Sequence, residues 1–166
     1  MADPFSIATG ALQVASVGAK LTTTLYTFAE TAWSADRRIA AIAKDISITS
    51  SVLQQLANLL RQAEANKLCT PEYLYTARMA LEGCDDAFKL VARTFGRSSD
   101  SGNYPQRKLS LGDRLRWPLK QTKVSILQSN LDRLKTNLSL MVSVLTYAKS
   151  AMSDRYKYPL KLLSVS

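Results

Sequence analysis

Histidine is missing from this sequence of 166 residues. Its absence excludes Ser-His-Asp and Cys-His catalysis, and with them histidine-ligated zinc and haem. Cysteine is scarce: Cys69 and Cys84 stand 15 positions apart, without companions. Two thiols cannot complete a structural zinc site, and a helical chain of this length needs no staple. Reduced, intracellular thiols are therefore expected. Glycine and proline number only six and five, which removes collagen-like and mucin-like classes. With 46% hydrophobic and 21% charged residues, the chain is also too apolar for global disorder. Gly96, Gly102 and Gly112 match neither G-x-x-x-x-G-K-[ST] nor G-x-G-x-x-G, so no phosphate loop is read.

The opening MADPFSIATG holds an acid and no positive run, which argues against a secretory signal. From Pro4 to Phe28 the only charge is Lys20. Yet Ser6, Thr9, Gln13, Ser16 and Thr22 to Thr24 dilute this run too much for an ordinary spanning helix.

What is present is a helical rhythm. Four segments carry apolar seams spaced alternately by three and four residues. The first is Ile7, Ala11, Val14, Gly18, Leu21, Leu25, Phe28, Ala32, and the second runs from Ile39 to Leu60. The third is Leu74, Ala77, Leu81, Cys84, Phe88, Val91, Phe95, and the fourth runs from Val124 to Met152. This is the spacing of helices packed at small crossing angles, and no run has the period of two that strands need. Asp3-Pro4 and Thr70-Pro71-Glu72 read as N-caps followed by a first-turn proline. Ser34 or Asp36 caps the second helix, and Gly96 ends the third. Residues 97–110 form a polar loop. Ser110 to Asp113 open a short turn, and Trp117-Pro118 breaks the path before the last helix. The expected fold is all-α: an elongated antiparallel four-helix bundle over residues 1–155, with a short extra helical turn before the last helix. Residues 156–166 are expected to be a tail.

The charge is uneven. Residues 1–100 hold ten basic and ten acidic side chains, whereas residues 101–166 hold 12 basic and three acidic, so the whole net +9 lies in the latter. Its centre is a basic patch of Arg107, Lys108, Arg114, Arg116, Lys120 and Lys123 around Trp117. Such a patch is either a solvated face or a site for anionic lipid head groups. Nucleic acid fits less well, because Trp117 and Tyr104 are the only aromatics available for stacking there.

The first helix carries a second stripe of Phe5, Ala8, Leu12, Ala15 and Ala19, and Val17 adds to its apolar surface. Small residues let backbones approach closely, and Gly10 and Gly18 cost helix propensity that needs a reason. Two readings stand: a rod enclosed by the bundle, or an effector helix that meets membrane or partner through Phe5, Ile7, Leu12 and Val17. The Asp85-Asp86 pair reads as a solvated helix face with Glu82 and Lys89 rather than a metal or acid–base site. Cys84 falls on an apolar seam and is expected to be inert. No enzyme, cofactor, metal or small-molecule substrate is expected.

The opening MADPFSIATGALQVASVGAKLTTTLYTFAE, together with Arg116-Trp117-Pro118-Leu119-Lys120 and the following VSILQSNLDRLKTNLSLMVSVL, resembles the N-terminal domains of fungal STAND proteins. The resemblance covers about residues 1–153. More distantly, the chain is similar to the HeLo and HeLo-like cell-death bundles, whose first helix acts on membranes. The resemblance implies a non-enzymatic signalling domain, usually placed ahead of an ATPase or repeats, that works through protein contacts and by membrane targeting. It implies a cytoplasmic or peripheral-membrane protein. The alternative is an oligomerisation scaffold without membrane activity. Protein partners, self-association and an anionic membrane surface are the partners expected.

Overall fold

The computed structural model describes residues 3–31, 36–66, 68–95 and 111–157, with side chains at 3–30, 37–62, 68–95 and 124–153. The described residues form four α-helices and no strand: α1 (Pro4–Thr31), α2 (Asp36–Asn66), α3 (Pro71–Phe95) and α4 (Leu111–Lys157). Two of the starts expected from the sequence are built as read. Asp3 Oδ1 accepts from the backbone N–H of Phe5 at 2.8 Å and of Ser6 at 3.2 Å. Thr70 Oγ1 accepts from the N–H of Tyr73 at 3.2 Å. Each satisfies donors that a helix N-terminus leaves without a partner. Gly96, the loop 97–110 and residues 158–166 lie outside the described residues, as do Ser34 and the side chain of Asp36.

The extra helical turn needs correction. Its residues are helical from Leu111, but they do not stand apart: α4 runs unbroken through Trp117 and Pro118 for 47 residues, about 70 Å. Pro118 removes one i→i−4 hydrogen bond, and the bias against helix before a proline is a preference rather than a stop. The helix boundary read at Pro118 gave that bias too much weight.

Successive helices alternate in direction. Gly18 of α1 meets Ser50 of α2, and Phe5 meets Arg61, so the two helices run antiparallel. Tyr73 and Gly83 of α3 meet Met141 and Leu134 of α4, again antiparallel. The neighbours in space are not all sequence neighbours. α1 packs on α2 and α3, and α4 packs on the same two. Gly10 lies at Leu81 and Gly18 at Phe88, so α1 and α3 are parallel; Asp45 at Lys135 makes α2 and α4 parallel too. The ring order is therefore α1, α2, α4, α3, with α2 and α3 on a diagonal.

The core fills with the four seams. Ile39, Ile42, Ile46, Leu53, Leu56 and Leu60 of α2 are fully buried, as are Phe88, Val91, Leu131 and Leu138. The two polar residues of the α2 core bond within their own helix: Thr49 donates to the Asp45 carbonyl at 2.7 Å, and Ser50 to the Ile46 carbonyl at 2.8 Å. Burial therefore leaves neither hydroxyl without an acceptor. Gly18 is where three helices converge. A Cβ there would fall on Ser50 Oγ and 2.6 Å from Phe88 Cε2.

Candidate functional site

The surface of α1 was expected to carry the contact residues, and the structure separates them. Ile7 is 4% exposed and belongs to the core, so it offers no contact surface in this fold. Leu12 is half-buried and packs against the core. Phe5 and Val17 face solvent at 53% and 46% exposure. They lie roughly 18 Å apart along the helix axis. Phe5 borders α2, where the Arg61 guanidinium sits 5.8 Å from its ring centroid, a cation–π distance. Val17 borders α3 instead. Ala8, Ala11 and Ala15 are buried, so most of the small residues serve close packing rather than display.

Between α1 and α3 runs an open groove of about 370 Å³, lined by Gly10, Gln13, Val14, Val17, Leu81, Glu82 and Asp85. The helices come close because Gly10 has no side chain: a Cβ there would sit 2.9 Å from Leu81 Cδ2. The walls are apolar and one rim is acidic. Both acids already hold a partner on α3, Arg78 with Glu82 at 3.0 Å and Lys89 with Asp85. The hydrogen bond to Asp85 holds the exposed Lys89 ammonium above its usual pKa. Asp86 is exposed beside them. Among the described residues no group of three or more His, Cys, Asp or Glu could hold a metal ion.

Cys84 is packed as expected from its seam. Cys84 is fully buried, and burial pushes its pKa up to about 12. The thiolate that nucleophilic chemistry needs is thereby disfavoured. Cys69 is half-buried and shifted in the same direction by the same cause. Tyr73 is raised too, by burial first and then by Cys69, while its hydroxyl donates to the Met141 carbonyl at 2.8 Å.

Of the basic patch, Arg107 and Lys108 lie outside the described residues. Arg114, Arg116, Lys120 and Lys123 lie in α4, with their side chains outside the description. The sequence reading missed a different surface. Tyr75 and Met79 on α3, and Leu140, Val144 and Tyr147 on α4, are all at least half exposed. A second stripe at 140, 144, 147 and 151 would have revealed the α4 part, but the stronger core seam beside it took precedence.

No family model, curated protein or solved structure matches the chain significantly. Among the described residues no helix is long and apolar enough to cross a membrane.

Proposed function

We propose that this chain is a non-enzymatic signalling bundle of the fungal STAND N-terminal type, acting through protein contacts made by the exposed side of α1. The observation that carries this reading is the groove between α1 and α3. Val17, half exposed, stands beside an apolar wall with an acidic rim, where a helix or extended segment of a protein partner would rest. Apolar walls supply the area, while the groove acids Glu82 and Asp85 are already paired with Arg78 and Lys89, so the contact rests on apolar burial.

Membrane action by α1 asks more of the fold. Ile7, Ala8, Ala11, Val14 and Ala15 are all buried, and they reach a bilayer only if α1 leaves α2 and α3. That uncovers the apolar faces of both neighbours at once, so the protein-contact reading asks for less rearrangement.

A photo-cross-linking residue in place of Val17 tests the proposal in the cells that express the protein. Discrete protein adducts are expected from Val17 and none from Gln54 on the outer side of α2. Equal labelling at the two positions, or none at Val17, removes the reading. Leakage of anionic vesicles by the folded bundle at low salt would replace it with the membrane one.

A further inference from the structure

α1, α2 and α4 are tied together by charge and close approach, and α3 is held more loosely. α2 holds α1 where Gly18 meets Ser50 and where the Arg61 guanidinium lies over Phe5. It holds α4 through Asp45 with Lys135 and through Gln62 with Lys149. α3 closes the ring between α1 and α4. Its ion pairs are internal: Arg78 with Glu82, and Lys89 with Asp85. Among the described residues its one hydrogen bond to another helix runs from the Tyr73 hydroxyl to the Met141 carbonyl, at 2.8 Å. At its other end Phe95 meets Phe28 edge-on, with ring centroids 6.0 Å apart. Between these ends Phe88 and Val91 are fully buried, so α3 is held mainly by apolar burial. On the α1 side that burial is interrupted by the open groove of about 370 Å³.

We infer that α3 is the moving part of the bundle: it parts from α1 and α4 while α1, α2 and α4 stay packed, at a free energy below that of global unfolding. Any helix that leaves exposes apolar surface and regains similar chain freedom per residue, so the helix with the fewest ties leaves first. To leave, α1 must part from α2, its most extensive neighbour. α4 must break the pair of Asp45 with Lys135, which is largely shielded from water. α2 packs on both and is held from two sides. α3 breaks one hydrogen bond and no ion pair. The groove marks where its joint with α1 is already open. Opening there brings the Cys84 thiol and the inner side of α1 into contact with solvent, and neither is reached in the closed bundle. The device works whether or not a partner rests on Val17.

Alkylation of the native full chain by iodoacetamide tests this, read thiol by thiol from peptide masses. Cys84 is fully buried, so it reacts only through an opening. It is expected to react at least about tenfold faster than global unfolding, measured in urea, would allow. The dependence of that rate on urea is expected to be shallower than that of global unfolding, because less surface is exposed. Val124→Cys on α4 and Ala43→Cys on α2 replace fully buried residues. Each, made together with Cys84→Ala and set against its own global stability, is expected to react only through global unfolding. Tyr73→Phe removes the hydroxyl that donates to Met141, and is expected to speed alkylation of Cys84 roughly fivefold. Lys135→Ala loosens α2 from α4, and is expected to lower the global midpoint while leaving the Cys84 rate unchanged. Alkylation of Cys84 no faster than global unfolding allows, an equal acceleration by Lys135→Ala, or equal reaction at positions 43 and 124 would overturn the inference.

Discussion

The Lys135 ammonium on α4 lies 3.0 Å from Asp45 Oδ1 on α2 and 2.7 Å from Asp132 Oδ1 one turn back on its own helix. The two hydrogen bonds that Lys135 donates, the shorter to Asp132, hold its pKa above the usual value. Asp45 is only 14% exposed, so this pair ties together two parallel helices that are not consecutive in the chain. It fixes their relative height at the middle of the bundle.

Lys135→Ala is expected to destabilise the fold by about 1 kcal/mol, because partly exposed ion pairs are screened by solvent. The loss should shrink in high salt. The charge exchange Asp45→Lys with Lys135→Asp tests the pairing, since it is expected to recover part of what either single change loses. Urea midpoints of the four proteins measure the coupling; an additive result would mean the contact contributes nothing.

Gly18 and Gly83 should respond oppositely to alanine. In an exposed helix Gly→Ala gains roughly 0.5 to 1 kcal/mol. At Gly18 the new methyl meets Ser50 Oγ and the Phe88 ring, both buried between three helices. Overpacking of that kind costs about 1 to 3 kcal/mol, so Gly18→Ala is expected to lower the melting temperature. At Gly83 the nearest atom is Leu134 Cδ2 at 3.0 Å, the free end of a half-buried side chain that can turn aside. Gly83→Ala is expected to be neutral or stabilising.

Alkali should weaken the fold through its buried acids. Cys84 titrates from 9.0 when unperturbed and near 12 when folded, so the unfolded chain loses its proton first. The stability linked to this thiol is complete below about pH 9 and declines as pH rises toward 12, by up to about 1.4 kcal/mol per pH unit. Tyr73 and Lys135 are also raised and act in the same direction. Urea midpoints should fall between pH 8 and 10.5. The decline should be shallower in Cys84→Ala, which starts from a lower midpoint at pH 6 because truncating the buried side chain leaves a small cavity.

The seams were legible because burial follows period. Every α2 residue named from Ile39 to Leu60 at three-four spacing is buried, and so are Val124, Leu127, Leu131, Leu138, Met141 and Leu145 of α4. The caps at Asp3 and Thr70 were legible for a similar reason, since a side-chain oxygen two or three residues before a free N–H is a local arrangement. Ring order was not legible. Nothing in a seam says which helix it faces, so the diagonal placement of α2 and α3 shows only in which helices pack together. The contact residues were legible only in part. Ile7 already stood in the core seam of α1, so its burial was legible, whereas the exposure of Phe5 and Val17 beside the half-buried Leu12 is set by packing against α2 and α3. The uncharged outer side of α4 escaped notice because serine and threonine read as polar, whereas their hydroxyls are bonded back to the helix.

Ile7 and Val17 give the sharpest separation of folding from contact. Ile7 is packed in the core, and its truncation to alanine is expected to cost roughly 2 to 5 kcal/mol. Val17 is nearly half exposed, so Val17→Ala should change stability by less than about 0.5 kcal/mol. A cellular phenotype caused by Ile7→Ala would then reflect a smaller folded population, and restoring stability elsewhere, for example by Gly83→Ala, should relieve it in part. A phenotype from Val17→Ala could not be relieved in that way, because the folded population is already full. Measuring melting temperature, cellular abundance and phenotype for both variants, with and without Gly83→Ala, separates the two. Rescue of Val17→Ala by the stabilising change would place Val17 among the folding residues and remove it from the contact surface.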